Sequence, residues 1–176
     1  MTVSVAIVAY NEEETLQSLL SDIEKQTYPK KDMEIVLVDS CSTDSTRDIM
    51  ESFAKTAKGY MGIQVLDNPN KKQATGWNVA IENYKGDAIV RIDGHAVIPS
   101  DFIEKKAMLL EAGEAVSGGK CASIIDGETP WKKTLLMAES SMFGSSIASY
   151  RSSNEKRYVD SICHGMYKRE VFEKAG

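Results

Sequence analysis

Apolar runs and helical stripes alternate along the first 112 residues, and that alternation leaves few folds open. Val3 to Ala9 is nearly continuous apolar sequence, as expected of a parallel strand covered on both faces. Asn11 follows, with Glu14 three residues on, a cap-and-acid start signal for a helix. Leu16, Leu19, Leu20 and Ile23 then recur at helical spacing, until Tyr28-Pro29 closes the segment. Glu34 to Val38 reads as a second buried strand, ending in Asp39 and the polar turn Ser40 to Asp44. A helix with Thr46, Ile49, Met50 and Phe53 inward follows it. Ile63 to Leu66 is a third strand and Asp67 to Asn70 a turn. The third helix runs from about Gln73 to Tyr84, with Ala74, Trp77, Ile81 and Tyr84 inward. A fourth strand reaches Asp93, and a helix spans Ser100 to Ala112. Such alternation implies right-handed βαβ crossovers, hence an α/β fold on a mainly parallel sheet.

Beyond residue 112 the pattern loosens. Val116 to Ala122 reads as a further strand, interrupted by Gly118-Gly119. Thr129-Pro130 is an N-cap and first helical position, and Trp131, Leu135, Ala138 and Met142 fall on one face, read as core. Gly144-Ser145-Ser146 ends or bends that helix, and Arg151 to Lys156 is a charged loop. No interdomain linker or repeat is visible.

The chain has 176 residues, room for one domain with a substantial core. Its net charge of -5 argues against a general nucleic-acid binder, while leaving room for a nucleotide ligand. No apolar stretch approaches the roughly 20 residues that span a bilayer. No signal peptide is apparent at the N-terminus. Cys41, Cys121 and Cys163 are widely spaced and odd in number, which favours reduced thiols and a cytoplasmic setting. With one Cys beside it and no second pair, His164 reads as a loop or strand residue, not a zinc ligand.

Three predicted parallel strands end in polar residues: Tyr10, Asn11 and Glu12 after the first, Asp39, Ser42 and Asp44 after the second, Asp93 and His95 after the fourth. Parallel topology points these ends the same way, where open α/β sheets take small molecules. There an aspartate can accept from a nucleobase or ribose, and an aromatic ring such as Tyr10 can stack on a base. Asp93 and His95 could hold a divalent metal on a diphosphate. The alternatives are structural. Asp39 and Asp44 could cap the turn and helix that follow them, and Tyr10 could be rim packing.

Four segments in order, Val8-Ala9-Tyr10-Asn11-Glu12-Glu13, Val38 to Asp44, Gly76-Trp77-Asn78-Val79-Ala80 and Asp93-Gly94-His95, resemble the motifs of family-two inverting glycosyltransferases. Val159-Asp160 and Tyr167 to Phe172 resemble that family's stretch ahead of its catalytic acid. The His of Asp-Gly-His looks nearest to the exopolysaccharide branch typified by succinoglycan synthesis. The resemblance covers essentially the whole chain. It implies the GT-A fold, a Rossmann-like three-layer α/β/α sandwich.

The resemblance also assigns roles. Ala9, Tyr10 and Glu12 would line the nucleotide pocket, Asp39 would read the base, and Lys72 with the Gln73 to Asn78 segment would flank the nucleotide. Asp93 would contact ribose and the metal-diphosphate, with His95 in the metal-ligand place. The family's usual third residue is Asp, so the divalent cation, Mn or Mg, is left open; imidazole suits Mn²⁺ better. The donor would be a nucleotide sugar, UDP-sugar favoured, and the acceptor a saccharide or lipid-linked saccharide, with His164 near the acceptor side. No nucleic acid is implied. The implied setting is cytoplasmic, at the inner face of the membrane if the full-length protein is attached to one.

The family's base lies a short way beyond the position matching Gly176, and the match does not put Asp160 in that role. Residues 1–176 are therefore expected to be the donor-binding part of a longer domain, with weak or absent transfer activity. Rival readings are a nucleotide-binding module without transfer, a sugar-1-phosphate nucleotidyltransferase and a dehydrogenase. The last two would want a glycine-rich loop where Ala9-Tyr10-Asn11-Glu12 stands.

Overall fold

A computed structural model describes residues 1–119, 127, 129–141, 157–159 and 162–175. By contacts it divides into residues 1–117 with 165–176, and residues 118–164.

In the first unit, β1 (Val3–Ala9), β2 (Met33–Asp39), β3 (Gly62–Asp67), β4 (Ala88–Asp93), β5 (Val116–Ser117) and β6 (Met166–Lys168) form one sheet. The order is β3-β2-β1-β4-β6-β5, with the first four strands parallel and β6 antiparallel to β4 and β5. The expected α/β, mainly parallel sheet is therefore present. Strand β6, too short to carry a periodic pattern, was not anticipated.

Every residue of β1 and β2 is buried, because helices cover both faces. The two-residue period of a strand sends Val3, Val5, Ile7 and Ala9 to one face. There they meet Leu16, Leu19, Leu20 and Ile23 of α1 (Leu16–Glu24), Met50 and Phe53 of α2 (Thr46–Thr56), and Ile103, Ala107 and Leu110 of α4 (Phe102–Glu111). Ala6 and Val8 go to the other face, against Trp77 and Ala80 of α3 (Gln73–Asn83) and Tyr84 just after it. Tyr167 of β6 and Phe172 of the last helix, Arg169–Ala175, extend that second layer.

Two local expectations are corrected here. Asn11 does not cap α1, which begins at Leu16 with Thr15 before it. Instead Asn11 sits in the left-handed region at φ 53°, and its side-chain oxygen accepts from the Thr43 N–H at 2.8 Å. On α3, Ala74 is exposed and Ile81 half-buried, while Gly76, Trp77 and Ala80 face the sheet.

The α3 shift follows from close approach. A Cβ on Gly76 would stand 2.5 Å from Cγ1 of Val8 and 3.1 Å from Nδ2 of Asn68. Gly76→Ala therefore sets overpacking of about 1–3 kcal/mol against about 1 kcal/mol of regained helix propensity. The expected net loss is about 1 kcal/mol, read from the urea midpoint; a raised midpoint would contradict the close contact.

In the second unit, Pro130–Ser140 forms helix α5, and the Thr129 hydroxyl accepts from the Lys132 N–H at 3.2 Å. The Thr129-Pro130 start is thus as expected. The core reading of its apolar stripe is not: Trp131 is 69% and Leu135 50% exposed. Met142, Gly144 to Ser146, Arg151 to Lys156, Cys121 and Asp160 lie outside the described residues, as does the end of the Val116 to Ala122 strand. Among the described residues no helix is long and apolar enough to cross a membrane.

Candidate functional site

Strand β1 lies between β2 and β4, and the chain winds from β1 through β2 to β3 before crossing back to β4. The β1/β4 boundary is therefore a topological switch point, where open α/β sheets take ligands at the carboxyl ends of their strands. Register aligns the polar ends: Ala9 pairs with Asp39, and Val8 with Asp93. Three neighbouring strands thus deliver Asp39, the Tyr10–Glu12 turn and Asp93 to one rim.

The first two turns are stapled to each other. The Asn11 N–H donates to the Ser42 hydroxyl at 3.1 Å, and the Glu12 N–H to the Thr46 hydroxyl at 2.7 Å. Two more bonds cross the gap, the Glu13 N–H donating to the Asp44 carboxylate at 3.2 Å and the Ser45 N–H to the Glu13 carboxylate at 2.9 Å. Burial pushes the Asp44 carboxyl up, but hydrogen bonds from Thr46 and the Glu13 backbone outweigh it and hold it below its ordinary value. Asp44 is thus a strut of the loop and the N-terminal anchor of α2, as its structural alternative had it. Asp39 is 6% exposed, and its Oδ1 accepts from the Ser42 N–H at 3.1 Å. Tyr10, one residue beyond the Ala9 that pairs with Asp39, is 50% exposed.

At the far rim, β4 ends in a tight turn whose Ala96 N–H donates to the Asp93 carbonyl at 3.0 Å. The Gln73 amide donates to Asp93 Oδ1 at 3.2 Å, so the first residue of α3 reaches this corner. His95 is exposed, with Nδ1 2.9 Å from Glu12 Oε1. Glu12 and His95, separated by 83 residues, are joined directly.

The remaining expected residues are placed less tightly. Ala9 is buried, and its carbonyl accepts from the Ser40 N–H at 2.9 Å. Lys72 is exposed just ahead of α3, where its carbonyl takes the Asn68 amide at 2.9 Å. Asn78, five residues beyond Gln73 and so roughly 7.5 Å along the helix axis, faces solvent. Among the described residues, no hydrogen bond joins Asn78 to the Asp93 corner.

Sequence reading missed Asn68. It is fully buried, its Nδ2 donates to the Ser40 hydroxyl and the Lys72 carbonyl at 2.9 Å each, and its Oδ1 accepts from the Thr75 hydroxyl at 2.8 Å. Its only sequence signal is the Asn-Pro turn dipeptide, which says nothing of burial.

Acidic and amide groups are gathered at the switch point of an open α/β sheet, the place where proteins of this class take small molecules. The chain belongs to glycosyl transferase family 2, whose family model matches residues 4–176. It is 24% identical over 178 residues to the succinoglycan biosynthesis protein ExoA of Rhizobium meliloti, covering 98% of this chain and 51% of that protein. It is 31% identical over 102 residues to a dolichyl N-acetyl-glucosaminyl phosphate diacetamido-dideoxyglucuronosyltransferase of Methanococcus voltae, covering 58% of this chain and 32% of that one. Among solved structures, S. aureus TarS 1-349 in complex with UDP matches with TM-score 0.74 at 21% identity, over 99% of this chain and 49% of that chain. The Pyrobaculum calidifontis mannosyltransferase PcManGT, in complex with GDP-Man and Mn²⁺, matches with TM-score 0.70 at 22% identity, over 99% and 46%. The fold is therefore that of the GT-A transferases. The matched region spans about half the length of the first of these relatives and about a third of the second.

Proposed function

We propose that the chain is the donor-binding part of a metal-assisted, inverting glycosyltransferase that works in polysaccharide or cell-surface glycan synthesis. The observation that carries this reading is the alignment of Asp39, the Tyr10–Glu12 turn and Asp93 on adjacent parallel strands at the switch point. Asp39, nearly buried with one oxygen held by Ser42, is suited to accept from a base N–H. Tyr10 offers an exposed ring to stack on the base, and Ala9 supplies a floor without bulk. Lys72 and Asn78 flank the nucleotide, with Gln73 the nearer group to Asp93.

The donor set at the β4 end, one carboxylate and one imidazole, fits a divalent cation with mixed oxygen and nitrogen preference. Mn²⁺ is favoured over Mg²⁺, which prefers all-oxygen shells. When bound, such a cation neutralises charge on the departing nucleoside diphosphate. Asp93 and His95 would hold it, and the bonds that staple the Tyr10–Glu12 turn to the Ser42–Thr46 segment keep the base end of the site in place. UDP is the favoured nucleotide, in line with the UDP complex of the TarS neighbour. The acceptor is a saccharide, lipid-linked in the reading that places the full-length enzyme at the inner face of a membrane.

Calorimetry with UDP and Mn²⁺ tests the donor site. Asp93→Ala is expected to remove measurable binding, since one of two protein ligands is lost. Wild-type binding that persists unchanged in that variant would overturn the assignment. Release of sugar from UDP-sugars, with or without acceptor, separates an enzyme from a nucleotide-binding module.

A further inference from the structure

We infer that Glu12 is a positioning residue for His95, selecting the imidazole tautomer that leaves Nε2 available as a metal ligand. The inference rests on the proposed role of His95 and gives Glu12 a different task from the nucleotide contact expected by resemblance.

Glu12 is held on all sides. Its N–H donates to the Thr46 hydroxyl at 2.7 Å, and its carbonyl accepts the Thr15 and Leu16 N–H groups at 3.1 and 2.9 Å. One carboxylate oxygen, Oε2, accepts from the Thr15 hydroxyl at 2.8 Å, which aims Oε1 at His95 Nδ1, 2.9 Å away. The Thr15 hydroxyl also lies 3.3 Å from the Gly94 carbonyl, tying the same turn to the β4 end.

Gly94 is what lets the two turns come this close. A Cβ there would stand 3.1 Å from the Cγ of Glu12 and 3.1 Å from the Cβ of Ala9. The glycine of Asp-Gly-His is therefore explained by the stem of Glu12 lying across it.

A carboxylate is an acceptor only, so the hydrogen between the pair sits on Nδ1. A neutral imidazole protonated on Nδ1 carries its lone pair on Nε2, the form a metal-binding histidine needs. Carboxylate–histidine–metal arrangements of this kind orient the ring, and losing the outer carboxylate typically weakens metal binding by about 10–100-fold. Glu12 is side-chain half-buried while His95 is open to solvent, so the inner group fixes the outer one.

The chain contains two histidines, His95 and His164, so ring ¹⁵N NMR of the metal-free protein resolves the tautomer, with His95→Ala identifying the signals. Wild type is expected to show His95 as Nδ1–H, and Glu12→Ala to shift it toward Nε2–H. Mn²⁺ titrated by electron paramagnetic resonance in saturating UDP should bind Glu12→Ala about 10–100-fold more weakly. Glu12→Gln, whose amide oxygen can still accept from Nδ1–H, should keep the tautomer and recover most of the affinity. Gly94→Ala retains every polar group and crowds the Glu12 stem together with the Ala9 methyl, so it should weaken Mn²⁺ in the same direction. An unchanged tautomer in Glu12→Ala, or Mn²⁺ affinity within two-fold of wild type in both Glu12→Ala and Gly94→Ala, overturns the inference. If His95→Ala itself leaves Mn²⁺ affinity unchanged, the fault lies with the metal-ligand assignment instead.

Discussion

Glu34→Gln is expected to lower the free energy of unfolding by about 2–3 kcal/mol, although it changes one atom of a side chain far from the rim. Glu34 lies near the start of β2, between β1 and β3, and is 1% exposed. Its Oε2 accepts from the Ser4 hydroxyl and from the Lys85 N–H, the latter at 2.7 Å, and its Oε1 accepts from the Gln64 amide at 2.7 Å. Ser4 in turn accepts from the Gly86 N–H at 2.9 Å. One carboxylate thereby joins β1, β2, β3 and the turn into β4.

A glutamine cannot replace it in either orientation. With its NH₂ at the Oε2 position it faces the Lys85 N–H, donor against donor. With its NH₂ at the other position it meets Gln64, which must then rotate and give up its 3.2 Å bond to the Asn83 carbonyl. A buried donor left without an acceptor costs about 1–3 kcal/mol, and the charge-assisted character of the surviving bonds is lost as well. Urea unfolding should show a lower midpoint at constant slope. A variant within about 0.5 kcal/mol of wild type would mean that the network adds little to the sheet.

That network also marks where reading the sequence stops. Periodicity exposed the four parallel strands, the helices between them and the acidic strand ends, because each is a local pattern repeated along the chain. Parallel topology then implied that Tyr10, Asp39 and Asp93 would share a rim. What stayed hidden depends on contacts between distant residues. Glu34 reads only as the start of a strand, since nothing local signals its partners 30 and 51 residues away. Glu12 and His95 were both singled out, yet their pairing depends on a turn packing across Gly94. Strand β6 is a three-residue segment near the end of the sequence, and it joins the sheet only by pairing with distant β4 and β5. Trp131 and Leu135 obey helical spacing, and spacing alone does not say that a stripe will be covered.

Asn68 illustrates the same limit nearer the site, and Asn68→Asp should cost about 3 kcal/mol or more. Asparagine is nearly isosteric with aspartate, so sterics alone would forecast little change. The hydrogen-bond pattern forecasts otherwise. Both hydrogens of Nδ2 are committed, one to the Ser40 hydroxyl and one to the Lys72 carbonyl. The Ser40 hydroxyl can turn and donate instead; the Lys72 carbonyl cannot. Aspartate would set a buried anionic oxygen 2.9 Å from that carbonyl, acceptor against acceptor, at a position closed to solvent. The Asn68 backbone raises the stakes, because its N–H donates to the Asp39 carbonyl and its carbonyl accepts from the Lys71 N–H. Displacing this residue therefore moves both the end of β2 and the approach to α3, where Gln73 contacts Asp93. Asn68→Asp is expected to lose stability and UDP affinity together, whereas Asn68→Ala, which adds no charge and leaves the Lys72 carbonyl its bonds from the Gly76 N–H and the Thr75 hydroxyl, should lose less of each. Denaturant unfolding and calorimetry on the two variants distinguish these outcomes. An Asn68→Asp variant as stable as wild type would show that the β3–α3 turn is held by something other than this amide.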